Sequence, residues 1–160
     1  MTAATWQERL ASQGVTLPPP PPPVANFLPA RREGNILFVS GQGPIVDGKP
    51  VVTGSLGKTV SIDEGYQAAR LCALNSLAVA NAVLQEGESL DRVIKVLAFV
   101  SSARTFVEQP KVVNGASDFF VEVFGESGRH ARSAIGTHVL PFNIAVEIEV
   151  AFGLTREGIR

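Results

Sequence analysis

The stretch from His130 to Val150 constrains the fold most, because it alternates like a β-strand twice over. In its second half Ile144, Val146, Ile148 and Val150 form one apolar row, with Ala145, Glu147 and Glu149 on the opposite face. In its first half Ser133, Ile135, Thr137 and Val139 alternate with Arg132, Ala134, Gly136 and His138. Facing residues of an antiparallel pair point to the same side, so joining the two halves as a hairpin sets Thr137 opposite Ile148 and Ile135 opposite Val150. That register leaves residues 141–144 as the loop and pairs His138 with Glu147, a candidate acid/base pair. Arg132 then stands about 20 Å from His138 along the strand. Arg132 and Glu147 of one chain therefore do not grip one small molecule, whereas those of two copies meeting at an interface can. The small residues Ala134, Gly136, Ala145 and Ala151 on that face read as an interface cleft rather than a wet surface.

A chain of 160 residues with 45% hydrophobic content suits one domain with a proper core. Basic and acidic residues number 14 and 15, giving a net charge of -1 and no basic stripe for nucleic acid. The single cysteine, Cys72, excludes an internal disulfide and a multi-thiolate metal site, and its Ala/Leu surroundings read as a buried structural thiol. Two distant histidines without a third ligand do not suggest a metal. No apolar run is long enough to span a bilayer, and no basic-then-apolar signal pattern opens the chain, so a cytoplasmic protein is expected.

Thr5 and Glu8 have capping-box spacing, predicting a short helix from Thr5 to Gln13 stopped by Gly14. Six prolines, Pro18 to Pro23, follow as a stiff extended spacer. Residues 1–25 thus read as an extension and 26–160 as the globular domain. A strand is predicted over Ile36 to Ser40, then an Asp47-Gly48 turn and a short strand over Pro50 to Thr53. Ser61 and Glu64 open a long helix reaching about Gln85. Arg92 to Ser101 is apolar on both faces, as a central covered strand requires. Pro110 starts and Gly125 ends a second helix with the stripe Val112, Val113, Ala116, Phe119, Phe120, Val123. The order is β-β-α-β-α-β-β, an α+β fold with two helices on one face of a single mixed sheet. Asp118 and Glu122 read as a solvated helix face, Arg31, Arg32 and Arg129 as rim charges, and His130 as a structural histidine at a loop end.

Ser40-Gly41-Gln42, Val113-Asn114, Ala131-Arg132-Ser133, Leu140-Pro141 and Val146-Glu147-Ile148-Glu149 stand in the order and rough spacing of the Rid (YjgF-like) family, which the chain resembles over about Asn35 to Phe152. The phrase from Gly128 to Gly136, with Asn114-Gly115-Ala116, is similar to a less studied branch with an N-terminal extension. The resemblance implies a chorismate-mutase-like fold and a homotrimer with three inter-subunit clefts. It also implies hydrolysis of reactive 2-imino and 2-enamino acids to 2-oxo acids and ammonia, without a cofactor.

By that resemblance Arg132 holds the substrate carboxylate, a role suited to the planar fork of a guanidinium. Glu147 positions or activates the attacking water, Gly41 lets backbone approach the ligand, and Asn114 supports the site. Two pocket positions depart from the archetype: Phe27 stands where it has a tyrosine, and Ala134 where it has a cysteine. His130 replaces a proline. Arg132 and Gly41 suffice for binding a carboxylate, so a non-catalytic trimer that binds small carboxylates is the alternative. A ribonuclease activity, also attached to the family, finds no support in the charge balance.

Overall fold

The structure, a computed structural model, describes residues 4–22 and 25–156. The chain opens with α1 (Trp6–Ser12), held by the expected capping box: the Glu8 amide donates to Thr5 Oγ1 at 3.2 Å, and the Thr5 amide to Glu8 Oε2 at 2.8 Å. Trp6 and Leu10 are buried, and Trp6 stacks on Phe124 with ring centroids 6.1 Å apart. Through these two residues α1 packs into the hydrophobic core. Pro19 to Pro22 are exposed, and Pro23 lies outside the described residues.

Strands β1 (Ala30–Glu33) and β2 (Ile36–Gln42) pair antiparallel around Gly34, whose φ of 57° only glycine adopts freely. A separate small hairpin, β3 (Ile45–Val46) and β4 (Lys49–Pro50), turns at Asp47 and Gly48, both with positive φ. The turn is where the sequence places it, but the strands flank it directly rather than reaching Thr53. Then come α2 (Ile62–Ala82), β5 (Glu88–Ser101), α3 (Gln109–Phe124), β6 (Ala131–Thr137) and β7 (Val146–Arg156). The Ser61–Glu64 capping box closes the N-terminus of α2.

The main sheet has the order β1-β2-β7-β5-β6. Its helix-side face carries Leu37, Val39, Val96, Ala98, Val100, Val146, Ile148, Val150 and Phe152, all buried. Burying each large side chain contributes about 1.5–3 kcal/mol. The opposite face is open, with Phe38 and Ile135 about half exposed at 49% and 46%.

The predicted hairpin does not form. β5 lies between β6 and β7, running parallel to β6 and antiparallel to β7. Two strands are needed to cover both sides of the apolar β5. The α3 crossover delivers β6 to its outer side, while β7 fills the gap between β5 and β2. The register sets Arg132 beside Val96 and Val150, and Ile135 beside Phe99 and Glu147. The faces of β6 are therefore the reverse of those predicted. Arg132, Ala134 and Gly136 share the helix side with Val96, Ala98 and Val100, and Ile135 looks out with Phe99. The alternation of β7 holds as predicted, Val146, Ile148 and Val150 being buried.

Asp118 and Glu122 are not merely solvated. Tyr66 donates to Asp118 at 2.8 Å and Arg70 to Glu122 at 2.5 Å, fastening α2 to α3. Arg32 likewise pairs with Glu88.

Candidate active site

Arg132 is on β6, which is the edge strand of the sheet among the described residues, and its side chain folds over onto α3. Nη1 donates to Asn114 Oδ1 at 2.9 Å and to Ser117 Oγ at 3.0 Å, and Nη2 points to the Pro110 carbonyl at 3.5 Å. Asn114 and Ser117 are three residues apart, hence on one face of α3, directly above the strand end. Asn114 thus touches Arg132 directly. Ala134 follows two residues on along the same side and packs against the core.

Ser117 continues the network. Its hydroxyl is 3.1 Å from His130 Nε2, and His130 Nδ1 is 2.7 Å from the Gly128 carbonyl. His130 also meets Phe120 edge-on, with ring centroids 5.8 Å apart. Burial holds its pKa below the usual imidazole value; the Gly128 hydrogen bond opposes this, and the Arg132 charge adds to it. His130 is structural in its packing, as expected, but it is also wired to Arg132 through Ser117. The sequence reading missed Ser117, although its position one turn beyond Asn114 on the same helix face was visible.

Glu147 lies on the other side of the sheet and two strands away. A Cβ placed on Gly41 would come within 2.1 Å of Glu147 Oε1, so these two residues are in direct contact. Burial, with the nearby Glu149 second, raises the Glu147 pKa above the usual carboxylate value. Ser40, next to Gly41, donates its hydroxyl to the Leu28 carbonyl at 2.7 Å and so ties down the segment holding Phe27, which is 51% exposed. The predicted site residues therefore fall into two groups: Arg132, Asn114 and Ala134 around one sheet edge, and Gly41 and Glu147 on the open face, with Phe27 beside β2.

His138 joins neither group. It lies just past the end of β6, exposed, lining a cavity of about 350 Å³ with Ser102, Arg104, Gln109 and Gly136. Its predicted pairing with Glu147 is overturned, because β5 separates the two strands and Phe99 holds the place beside Glu147. A larger cleft, lined by Arg32, Asn35, Glu88 and Arg92, contains none of the predicted site residues. Among the described residues no group of three or more His, Cys, Asp or Glu could hold a metal ion, and no helix is long and apolar enough to cross a membrane. Cys72 is buried, and burial raises its pKa well above the usual thiol value, as for an inert structural thiol.

Residues 7–152 match the family described as "YjgF/chorismate mutase-like, putative endoribonuclease". Protein TCP17 of Trypanosoma cruzi is 43% identical over 137 residues, covering 85% of this chain and 86% of that protein. A 2-iminobutanoate/2-iminopropanoate deaminase of Dermatophagoides farinae is 32% identical over 136 residues, covering 84% and 91%. The crystal structure of Atu1372 from Agrobacterium tumefaciens, a protein of unknown function, superposes with a TM-score of 0.84 at 44% identity, over 94% of this chain and 92% of that one.

Proposed function

Since the chain belongs to the YjgF/chorismate-mutase-like family, we propose that it hydrolyses small 2-imino acids, and their 2-enamino tautomers, to 2-oxo acids and ammonia in clefts between subunits of a homotrimer. The observation that carries this reading is the division of the site. Arg132 is braced at one sheet edge by Asn114 and Ser117, while Glu147 stands against Gly41 on the opposite face. A head-to-tail ring of copies brings the edge of one subunit to the open face of the next and closes on itself after three. The half-exposed Phe38 and Ile135 on that open face suit burial there.

In such a cleft Arg132 binds the substrate carboxylate, and Glu147 of the neighbouring subunit accepts a proton from water as its oxygen bonds to C2. The C=N π pair moves to nitrogen, which takes that proton from Glu147 to give a carbinolamine. Glu147 then carries the hydroxyl proton to nitrogen as the C–N bond breaks, its electron pair leaving with ammonia while the O–H pair closes the C=O of the 2-oxo acid. Imines are electrophilic enough for orientation and one proton acceptor to serve. The relative bearing the name 2-iminobutanoate/2-iminopropanoate deaminase supports this choice of substrate.

A mixing experiment tests the reading. Arg132→Ala and Glu147→Gln are each expected to lose hydrolysis of 2-iminobutanoate generated in situ by an amino-acid oxidase. Co-refolding them at equal amounts restores about a quarter of the wild-type rate, because one intact Arg132 then meets one intact Glu147 at that fraction of interfaces. No recovery in a verified mixed trimer overturns the shared site. Phe27, which has no hydroxyl, favours the alternative of a non-catalytic carboxylate-binding trimer. That alternative is supported if the wild type binds 2-oxobutanoate without accelerating hydrolysis.

A further inference from the structure

The hydrogen bonds around Arg132 have a determined direction. The Gly128 carbonyl only accepts, so the proton of neutral His130 sits on Nδ1, and Nε2 carries a lone pair. The Ser117 hydroxyl then donates to Nε2, which leaves its oxygen lone pairs for Arg132 Nη1. A guanidinium has five N–H groups. Asn114 and Ser117 occupy both on Nη1, and Pro110 takes one on Nη2. Among the described residues two are left without a partner, Nε–H and one Nη2–H, which can meet the two oxygens of one carboxylate.

We propose that Ser117 and His130 are positioning residues, a relay that aims the free Nε–H/Nη2–H edge of Arg132 at the carboxylate of the ligand. The proposal rests on the reading of Arg132 as the carboxylate anchor. His130 is suited to the task because a neutral ring sets the direction of the Ser117 hydroxyl without adding a second positive charge. Besides Arg132, the groups that face His130 are uncharged: the Ser117 hydroxyl and Phe120 ring from α3 and the Gly128 carbonyl from the short 3-10 turn Gly125–Gly128 that follows α3. The nearby Glu126 and Arg129 pair with each other at the surface, and Lys95 of β5 donates to Ser133 instead.

The test uses the full-length assembled protein with 2-oxobutanoate as probe. Ser117→Ala and His130→Phe, which keeps a ring against Phe120, are expected to weaken 2-oxobutanoate binding roughly 5- to 10-fold. KM for the imine rises by a similar factor, and kcat changes less. The double variant loses little more than the worse single one, because both act through the same guanidinium. In unsubstituted protein, NMR of the His130 ring nitrogens should show the Nδ1–H tautomer, with the Nε2 resonance moving as 2-oxobutanoate is added. An Nε2–H tautomer, or wild-type affinity in Ser117→Ala, overturns the relay. Arg132→Ala separates the two claims. If it abolishes binding while Ser117→Ala does not weaken it, only the relay falls; if Arg132→Ala itself still binds, the anchor assignment falls with it.

Discussion

Gly41 and Glu147 are in such close contact that the smallest side chain at position 41 would overlap the carboxylate, with 2.1 Å from Cβ to Oε1 and 2.9 Å to Cδ. The contact is to the far end of a flexible side chain, so the fold survives a methyl group there and the carboxylate turns away. Gly41→Ala is expected to keep its melting temperature to within a few degrees. Its rate of imine hydrolysis falls on the order of 10- to 100-fold, as misplacing a reacting group by about 1 Å does. Steady-state kinetics beside thermal unfolding checks both halves.

Glu147→Gln separates chemistry from stability. In the proposed role of base Glu147 works only ionised, and burial raises its pKa, so wild-type hydrolysis should fall with decreasing pH at a point above the usual carboxylate value. The amide is expected to cost at least about 100-fold in kcat. Stability moves the other way. A raised pKa means that the folded state holds the Glu147 proton more tightly than the unfolded state, so its contribution is lost as pH rises through that pKa. At neutral pH Glu147→Gln should therefore melt higher than wild type, and the difference should vanish at a pH where both states are protonated.

At Gly115 the backbone of α3 lies directly against that of α2. A Cβ there would be 2.0 Å from the Tyr66 carbonyl oxygen, a backbone atom that cannot move without separating the helices. Gly115→Ala is expected to destabilise by about 3 kcal/mol or more, read from urea denaturation. It should also weaken binding of 2-oxobutanoate, because Asn114 and Ser117 ride on the same turn of α3.

Phe142 has φ 56° and ψ 16° and is 81% exposed. Its left-handed backbone costs about 1–2 kcal/mol, with little burial to offset it. Phe142→Gly is expected to raise the melting temperature of a single subunit. If instead it lowers the stability of the assembled protein, the ring is buried by a neighbouring copy. Comparing the variant with wild type at low and at high protein concentration distinguishes these cases.

Local signals carried much of the fold. Both capping boxes, the α3 boundaries at Pro110 and Gly125 and the β7 alternation of Ile148 and Val150 against Glu147 and Glu149 could be read from neighbouring residues alone. The strand order could not. Thr137 and Ile148 look like hairpin partners until β5 needs a neighbour on each side, and that need is a property of the whole sheet. The error passed to the site: with β6 paired to β5, Arg132 turns to the helices, and His138 never meets Glu147. The β1 strand was missed because Arg31 and Arg32 do not look like a strand until Leu37 and Phe38 supply their partners. Ser117 was missed, and His130 was read as a loop-end histidine with no link to Arg132, because only the reversed face of β6 brings Arg132 between α3 and the turn that precedes β6.

The position of β7 also sets the order in which the sheet can form. It follows β2 and β5 in the chain, yet in the sheet it lies between them and joins them. Until β7 is in place, the earlier strands lack the partner that joins them into one sheet. Closing the sheet therefore waits on pairings distant in sequence, which are slow to form and leave Leu37, Val39, Val93 and Val96 open to other chains in the meantime.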